Sequence, residues 1–316
     1  MQFLTNLNKS LEKCMPLLTP AGLVAGILLA ERIEALNSIV PFLFAFITFS
    51  NSLKCRAGEL KNVVLHPLPA AAALAVLHGL MPCCALVLGR LLFPDNPYFV
   101  TGMVIQFLIP TAVMTIIWVS IYGGNLPLTL GIVLADTFIS PFLVPPVLRL
   151  LVGTRVEIDS LGIMLDLIYM VLIPAAAAML LNEALARRQR KFNPKAAMAL
   201  TAASKLMLMF VIAINSSKLA IFVDNFSWQV LMVCLVILAM ILFNYLLALG
   251  IARLLRLERD STIAFAYNCS MRNISLGAVI AAQYFPGDVL LPVMVSVLFQ
   301  QILAAAAGSL MDRHLK

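Results

Sequence analysis

Charged side chains are scarce in this chain. They make up 12% of its 316 residues, and only 15 of them are aspartate or glutamate. A soluble globular domain carries about 25% charged residues. The chain is therefore not a soluble domain.

Motifs for zinc binding, nucleotide use and catalysis are also missing. The six cysteines form no CxxC pair, and none stands at a zinc-site spacing from one of the three histidines. The sequence contains no phosphate-binding loop, no dinucleotide-binding glycine fingerprint and no metalloprotease helix. These absences argue against an ATP-driven pump, and they predict a protein that is not an enzyme and holds no cofactor.

Long apolar runs fill most of the chain. Hydrophobic residues reach 62% and the mean hydropathy is +1.00, which is typical of an integral membrane protein whose spans are α-helices of about 20 residues. We expect an all-α membrane protein with about ten spans, or nine if the first run does not cross. The runs are residues 17–29, 39–53, 68–93, 98–121, 126–152, 160–184, 196–223, 226–255, 261–285 and 289–311.

The net charge of +7 could indicate a nucleic-acid partner, but the basic residues follow a membrane topology instead. Fifteen of them fall before the first run, in the segments 54–61, 187–195 and 253–259, or after the last run, whereas the opposite loops hold four. Basic loops stay on the cytoplasmic side. The pattern predicts a multi-pass protein of the cell (inner) membrane with both termini in the cytoplasm and the lipid bilayer as its surroundings.

Two predicted spans are interrupted by residues that do not suit a membrane helix. Residues 98–121 contain Pro110 and Thr111, and residues 261–285 contain Arg272 among polar neighbours. A charge near the bilayer centre is costly, so an ionisable residue within a span predicts a functional site. Helix interruptions at corresponding places in two halves of a chain are typical of a transporter binding site.

The two interruptions are related by an internal offset. Shifting the sequence by 163 residues aligns residues 90–92 with 253–255, both Arg-Leu-Leu, and carries Pro110 onto Asn273. Five spans are an odd number of crossings, so a second copy would lie upside down in the membrane. We therefore expect one membrane domain made of two inverted five-helix repeats, residues 1–155 and residues 156–316.

Asp136 is the candidate partner of Arg272. It shares one helix face with Thr129 and Val133 at spacings of four and seven residues. A buried aspartate beside an arginine stays ionised, and one that moves away from it takes up a proton. Asp136 is therefore a candidate proton site, with a static ion pair as the alternative.

Other polar residues within the predicted spans have simpler interpretations. His78 stands alone, and a lone histidine is more often structural than catalytic. Asn244, Gln300 and Gln301 are expected to hydrogen-bond between helices.

Two stretches resemble the bile acid:sodium symporter family. The first runs from Pro110 through Gly124 to Pro141, and the second runs from Met271 to Phe285. The resemblance implies ten helices arranged as a panel domain and a core domain, in which spans 4 and 9 unwind and cross. It also implies transport of a small or amphipathic organic anion, bile-acid-like or pantoate-like, by alternating access, with Na⁺ as the coupling ion.

The residues that bind sodium in the family are poorly kept here. A serine and an asparagine of its first site correspond to Thr115 and Ile116, and hydroxyls on the next helix correspond to Thr129 and Val133. The glutamate that the family's two sites share corresponds to Asn268, and a glutamine of its second site corresponds to Arg272. Sodium needs several oxygen ligands and negative charge, and these exchanges shift the local charge by two positive units.

The sequence therefore predicts a secondary transporter of an organic anion with degraded sodium sites. Sodium-independent or proton-coupled transport is one alternative, and a transport-inactive membrane sensor that binds a ligand is another. The oligomeric state is left open. We expect substrate near Thr111, Val113, Thr115, Arg272 and Asn273, the last of which matches a substrate-facing asparagine of the family.

Overall fold

The structure is a computed structural model that describes residues 2–53, 58, 67–190, 192–220, 222 and 227–315. Within the N-terminal helices, the side chains of residues 2–7, 9, 12–13, 15–16, 19 and 34 are outside this description. Several basic residues that predict the orientation, among them Lys54, Arg56 and Lys61, lie outside the described residues. The orientation of the chain in the membrane stays a prediction.

The regular structure of the described residues is helical, apart from one isolated β-bridge. The main helices are α1 (Gln2–Leu28), α2 (Val40–Ser52), α3 (Pro67–Leu92), α4 (Pro97–Leu108), α5 (Thr115–Ile121), α6 (Leu126–Val152), α7 (Ser160–Arg187), α8 (Pro194–Leu219), α9 (Trp228–Leu254), α10 (Arg259–Ser270), α11 (Ile274–Tyr284) and α12 (Gly287–His314).

Within the described chain, seven helices are long and apolar enough to cross a membrane. They are α3, α6, α7, α8, α9, α12, and α2 together with the 3₁₀ turn before it (Ala35–Ser52). The sequence predicts about ten spans, and the remaining three are α1, whose first half is polar, and the two interrupted runs. Each interrupted run forms two shorter helices, α4 with α5 and α10 with α11.

Helix starts follow the local sequence closely. Asn96 caps α4 by accepting hydrogen bonds from the N–H groups of Tyr98 and Phe99, and Pro97 occupies the first turn. Asn125 caps α6, Asp159 caps α7 and Asn193 caps α8 in the same way. These side chains satisfy N–H groups that have no partner within the helix, so the boundaries are set by short sequence signals.

A π-helical turn at Val76–Leu80 widens α3 just before Pro82. Proline has no N–H and its ring clashes with the carbonyl one turn earlier. The N–H of Met81 accordingly bonds to the carbonyl of Val76, five residues back. A second π-helical turn, Ile168–Leu172, precedes Pro174 in α7.

The helices pack in two groups. In the first group α1 packs along α8, and α2 packs against α7 and α8. In the second group α4 packs against α3 and α12, while α9 and α11 also contact α12. Gly26 lets α1 approach α8 closely, because an added Cβ would overlap the backbone of Ala213. The predicted site residues of the described chain lie between these groups and inside the second one.

The helix boundaries of one part of the chain recur in the other. Helices α3, α4 and α6 are followed, 161 or 162 residues later, by the starts of α9, α10 and α12. The short helices α5 and α11 follow the two interruptions at corresponding places.

Candidate functional site

The first interruption covers residues 109–114, between α4 and α5. Pro110 cannot donate a hydrogen bond, and Ile109, which precedes it, has an extended backbone with ψ of 150°. The carbonyl of Ile109 and the N–H of Thr111 are thereby released from helical pairing. The break follows from the local sequence.

The second interruption is shorter and contains no proline. It covers residues 271–273, where Met271 has an extended backbone. The side chain of Gln300 on α12 pairs with Arg272 in both directions, accepting from its N–H at 2.8 Å and donating to its carbonyl at 3.0 Å. Asn244 on α9 donates to the carbonyl of Cys269 at 2.8 Å. Neighbouring side chains therefore replace the missing helical hydrogen bonds here.

The two interruptions are hydrogen-bonded to each other. An antiparallel bridge joins Thr111 to Arg272. The N–H of Ala112 donates to the carbonyl of Met271 at 3.0 Å, and the N–H of Asn273 donates to the carbonyl of Pro110 at 2.9 Å. The hydroxyl of Thr111 also donates to the carbonyl of Met271 at 3.1 Å. The polar backbone groups that each break releases are thus largely satisfied by the other break.

An open cavity lies beside the paired interruptions. Its wall combines residues of both breaks with α2, α7 and α8 of the first helix group, with α12 of the second group, and with α6, which packs against α3 and α4 of that group. A second cavity shares five lining residues with the first and reaches Lys205 on α8.

The predicted substrate residues are only partly together in this wall. Thr111, Val113, Arg272 and Asn273 line the cavity. Thr115 does not line it: this residue is fully buried, and its hydroxyl lies 3.4 Å from that of Thr111.

The Arg272 side chain is buried in the core and is only 1% exposed. Its Nη1 donates long hydrogen bonds to the carbonyls of Leu77, at 3.5 Å, and Ile109, at 3.4 Å. Both carbonyls are next to helix disturbances, the π-helical turn of α3 and the Pro110 break. The guanidinium therefore lies among freed carbonyls, and Nε and Nη2 have no hydrogen-bond partner within the described residues.

Asp136 has a different partner from the one that the sequence predicts. It is fully buried, and its carboxylate accepts from Nε2 of His78 at 2.6 Å and from the N–H of Thr111 at 2.6 Å. Across the described residues no ion pair joins Asp136 directly to Arg272. The carboxylate is bonded to His78 and to the N–H of Thr111 instead, and Arg272 interacts with it through charge at longer range.

Two of the positions that correspond to sodium ligands, Thr129 on α6 and Asn268 on α10, are buried and in contact. Asn268 donates from Nδ2 to the hydroxyl of Thr129 at 3.3 Å and to the carbonyl of Ala264 at 2.8 Å. The hydroxyl of Thr129 also donates to the carbonyl of Asn125 at 3.0 Å. Nδ2 thus points to Thr129, whereas the buried Oδ1 of Asn268 has no hydrogen-bond partner within the described residues, and the group carries no negative charge to offset that of a sodium ion.

Val133 and Ile116, two further positions of this set, supply no side-chain oxygen. Val133 is buried and apolar, and Ile116 lines the second cavity. Throughout the described ranges, no three His, Cys, Asp or Glu residues are grouped so as to hold a metal ion.

His78 has a contact that its sequence position does not predict. His78 was expected to be structural, yet it contacts the candidate proton site. The signal was Pro82, which disturbs α3 one turn later. Gln300 and Asn244 were expected to hydrogen-bond between helices, and the structure confirms this.

Comparison with known proteins bears directly on this arrangement. The profile of the SBF-like CPA transporter family matches residues 27–315. The uncharacterized protein YbaS of Bacillus subtilis is 40% identical over 299 residues, which cover 95% of this chain and 97% of YbaS.

Two further relatives have names that mention sodium. The probable sodium/metabolite cotransporter BASS1, chloroplastic, of Oryza sativa subsp. japonica is 25% identical over 228 residues, 72% of this chain and 54% of that protein. The uncharacterized sodium-dependent transporter YocS of Bacillus subtilis is 21% identical over 251 residues, 79% of this chain and 75% of YocS. The resemblance to sodium symporters and the prediction of a non-enzyme are confirmed, and the chain is a multi-pass membrane protein that belongs to the SBF-like CPA transporter family.

Proposed function

We propose that the protein is a secondary transporter that moves a small or amphipathic organic anion across the membrane by alternating access. The observation that carries the proposal is the open cavity that lies between the two helix groups and against both helix interruptions. A site whose wall is shared by two groups can be exposed to either side when one group moves against the other.

The proposal includes a ten-span architecture with a panel of α1, α2, α7 and α8 and a core of the remaining helices. In it α4 with α5, and α10 with α11, act as two interrupted spans that cross at their breaks. The recurrence of helix boundaries at 161 or 162 residues supports two inverted halves, residues 1–155 and residues 156–316. An inverted pair provides two related conformations that face opposite sides.

The cavity wall suits an amphipathic solute. Phe44, Val171 and Leu208 contribute apolar surface, whereas Asn51 and Thr137 contribute polar groups. The first residues of α11, including Asn273, also line the cavity, and the N-terminus of a helix favours negative charge. These features together favour an organic anion over a cation.

One contact between the groups must break if they move apart. Nζ of Lys218 on α8 donates to the carbonyl of Ala282 near the end of α11 at 2.6 Å. A cation at a helix C-terminus is stabilising, so this contact favours the conformation described here.

Sodium-independent transport fits these residues better than sodium symport. Arg272 brings a fixed positive charge to the freed carbonyls of Leu77 and Ile109, and Asn268 brings no negative charge. The names of the rice BASS1 protein and of YocS favour sodium coupling, which is the second candidate. A sensor that binds the anion without moving it is the third.

Uptake into proteoliposomes tests the proposal, with cholate and pantoate as probes of the two anion types. We expect saturable uptake of at least one of them. Thr137→Val removes a cavity hydroxyl, and we expect it to lower uptake about tenfold at low substrate. Thr201→Val is the matched control, because Thr201 makes the same hydrogen bond to the carbonyl four residues earlier but does not line the cavity.

Binding without flux would favour the sensor and contradict transport.

The coupling ion is tested separately by thermal unfolding in sodium against potassium or choline at constant ionic strength. A ligand of the folded state raises the unfolding temperature. We expect no sodium-specific rise for the wild type, and a sodium-specific rise would favour symport. The same measurement on Arg272→Gln tests whether the guanidinium excludes sodium, because a sodium-specific rise should then appear in this variant.

A further inference from the structure

His78 and Asp136 form a buried pair at the edge of the candidate site. His78 is 5% exposed and lies in the π-helical turn of α3, a local distortion that is frequent at functional sites. An ionised carboxylate only accepts hydrogen bonds, so the proton between the two groups belongs to Nε2 of the histidine. Nδ1 then carries a lone pair, and it has no hydrogen-bond partner in the part of the chain that the structure describes.

The charges around the pair are few and nearly balanced. Among the described residues, Arg272 of the second interruption and Cys269 at the end of α10 are ionisable groups within electrostatic reach of Asp136. The first interruption contributes the N–H of Thr111 but no ionisable side chain. Counted as formal charges, the one arginine and the one aspartate of this site cancel each other before a proton is added.

The pair is also connected to the cavity wall. The carboxylate of Asp136 accepts a hydrogen bond from the N–H of Thr111. Thr111 lines the cavity, and its hydroxyl donates to the carbonyl of Met271 in the second interruption. A proton added to the pair therefore changes the charge of a group that is hydrogen-bonded to Thr111, a residue of the cavity wall.

We propose that the His78–Asp136 pair binds one proton, on Nδ1 of His78, each time the cavity takes up one monovalent anion. This inference rests on the proposed function and specifies its coupling ion. Proton binding gives the buried site a net charge of +1, and the incoming anion returns it to zero. Each event lowers the electrostatic cost of the other, and by reciprocity the anion must favour the proton as much as the proton favours the anion.

Histidine protonation can be observed directly, because the chain contains only three histidines. Protein labelled with ¹⁵N-histidine is purified and its NMR spectrum is recorded as the pH is lowered. We expect one signal, absent from His78→Gln and kept in His314→Gln, to start as the Nε2–H tautomer and to become doubly protonated. At a fixed pH, added cholate or pantoate should increase its protonated fraction. A His78 signal that stays neutral while the protein remains folded would overturn the proposal.

A transport assay provides the second test, and it separates the hypothesis of proton coupling from the hypothesis that the protein is a transporter. In proteoliposomes an inward proton gradient should raise wild-type uptake of the transported probe about fivefold or more. His78→Gln keeps a hydrogen-bond donor for Asp136 but cannot take up the proton, so its uptake should not respond to the gradient. His314→Gln is the control, since His314 is exposed at the end of α12, away from the pair.

The two failures differ in their results. Uptake that ignores the gradient in the wild type, or a response that survives in His78→Gln, overturns proton coupling and leaves the proposed transporter intact. Absence of uptake of both probes contradicts the proposed function, and the NMR titration then decides whether the pair binds a proton.

Discussion

The two helix interruptions meet in space, but they are produced in different ways. In the first, Pro110 removes a donor and forces its neighbour out of the helical conformation. In the second, no residue between Met271 and Asn273 forbids a helix, and the break is maintained by Gln300, Asn244 and the first interruption. The comparison shows that one break is a local property of the chain and the other depends on its neighbours.

Among the variants that test this difference between the two breaks, Gln300→Leu should lower the stability of the folded protein most. It leaves the N–H and carbonyl of Arg272 buried without these partners, and each such group costs about 1–3 kcal/mol. We expect a clear fall in the unfolding temperature of the purified protein in detergent. Gln301→Leu is the matched control on the same helix, since Gln301 makes one hydrogen bond, to the ring of Trp118, and is partly exposed. Equal effects of the two variants would contradict the role given to Gln300.

Asn244→Leu should have an intermediate effect. The change removes one buried hydrogen bond, to the carbonyl of Cys269 at the end of α10, and costs about 1–3 kcal/mol. Hydrogen–deuterium exchange measured on peptides from residues 265–275 should rise, while exchange in residues 105–115 should change less. A uniform rise in both segments would mean that the two breaks do not differ in the way described.

Pro110→Ala should have the smallest effect on stability, about 1 kcal/mol or less. The new N–H can extend α4, but Thr111 remains held by Asp136 and by the second interruption. The unfolding temperature of Pro110→Ala, measured beside that of Gln300→Leu, checks this ranking. If the proline variant were the less stable of the two, local sequence would dominate the site.

Much of the helical framework could be predicted from the sequence. Asn96 and Asn125 mark helix starts, and the hydropathy places the apolar runs. The site was predicted less completely. Arg272 and Asp136 can be recognised in the sequence because they are ionisable residues inside apolar runs. The hydrogen bond between Asp136 and His78 cannot be recognised there, because it joins residues 58 positions apart and no local sequence pattern indicates it. The same holds for Gln300, whose contact with Arg272 spans 28 positions.

By itself, the sequence determined that this is a multi-pass helical membrane protein with two interrupted runs, because apolar length, capping residues and proline act over a few neighbouring positions. Only the tertiary structure decided which groups meet at the interruptions. A buried polar group needs a partner with the right distance and direction, and the folded arrangement of α3, α6, α9 and α12 supplies His78, Asp136, Asn244 and Gln300 for that purpose.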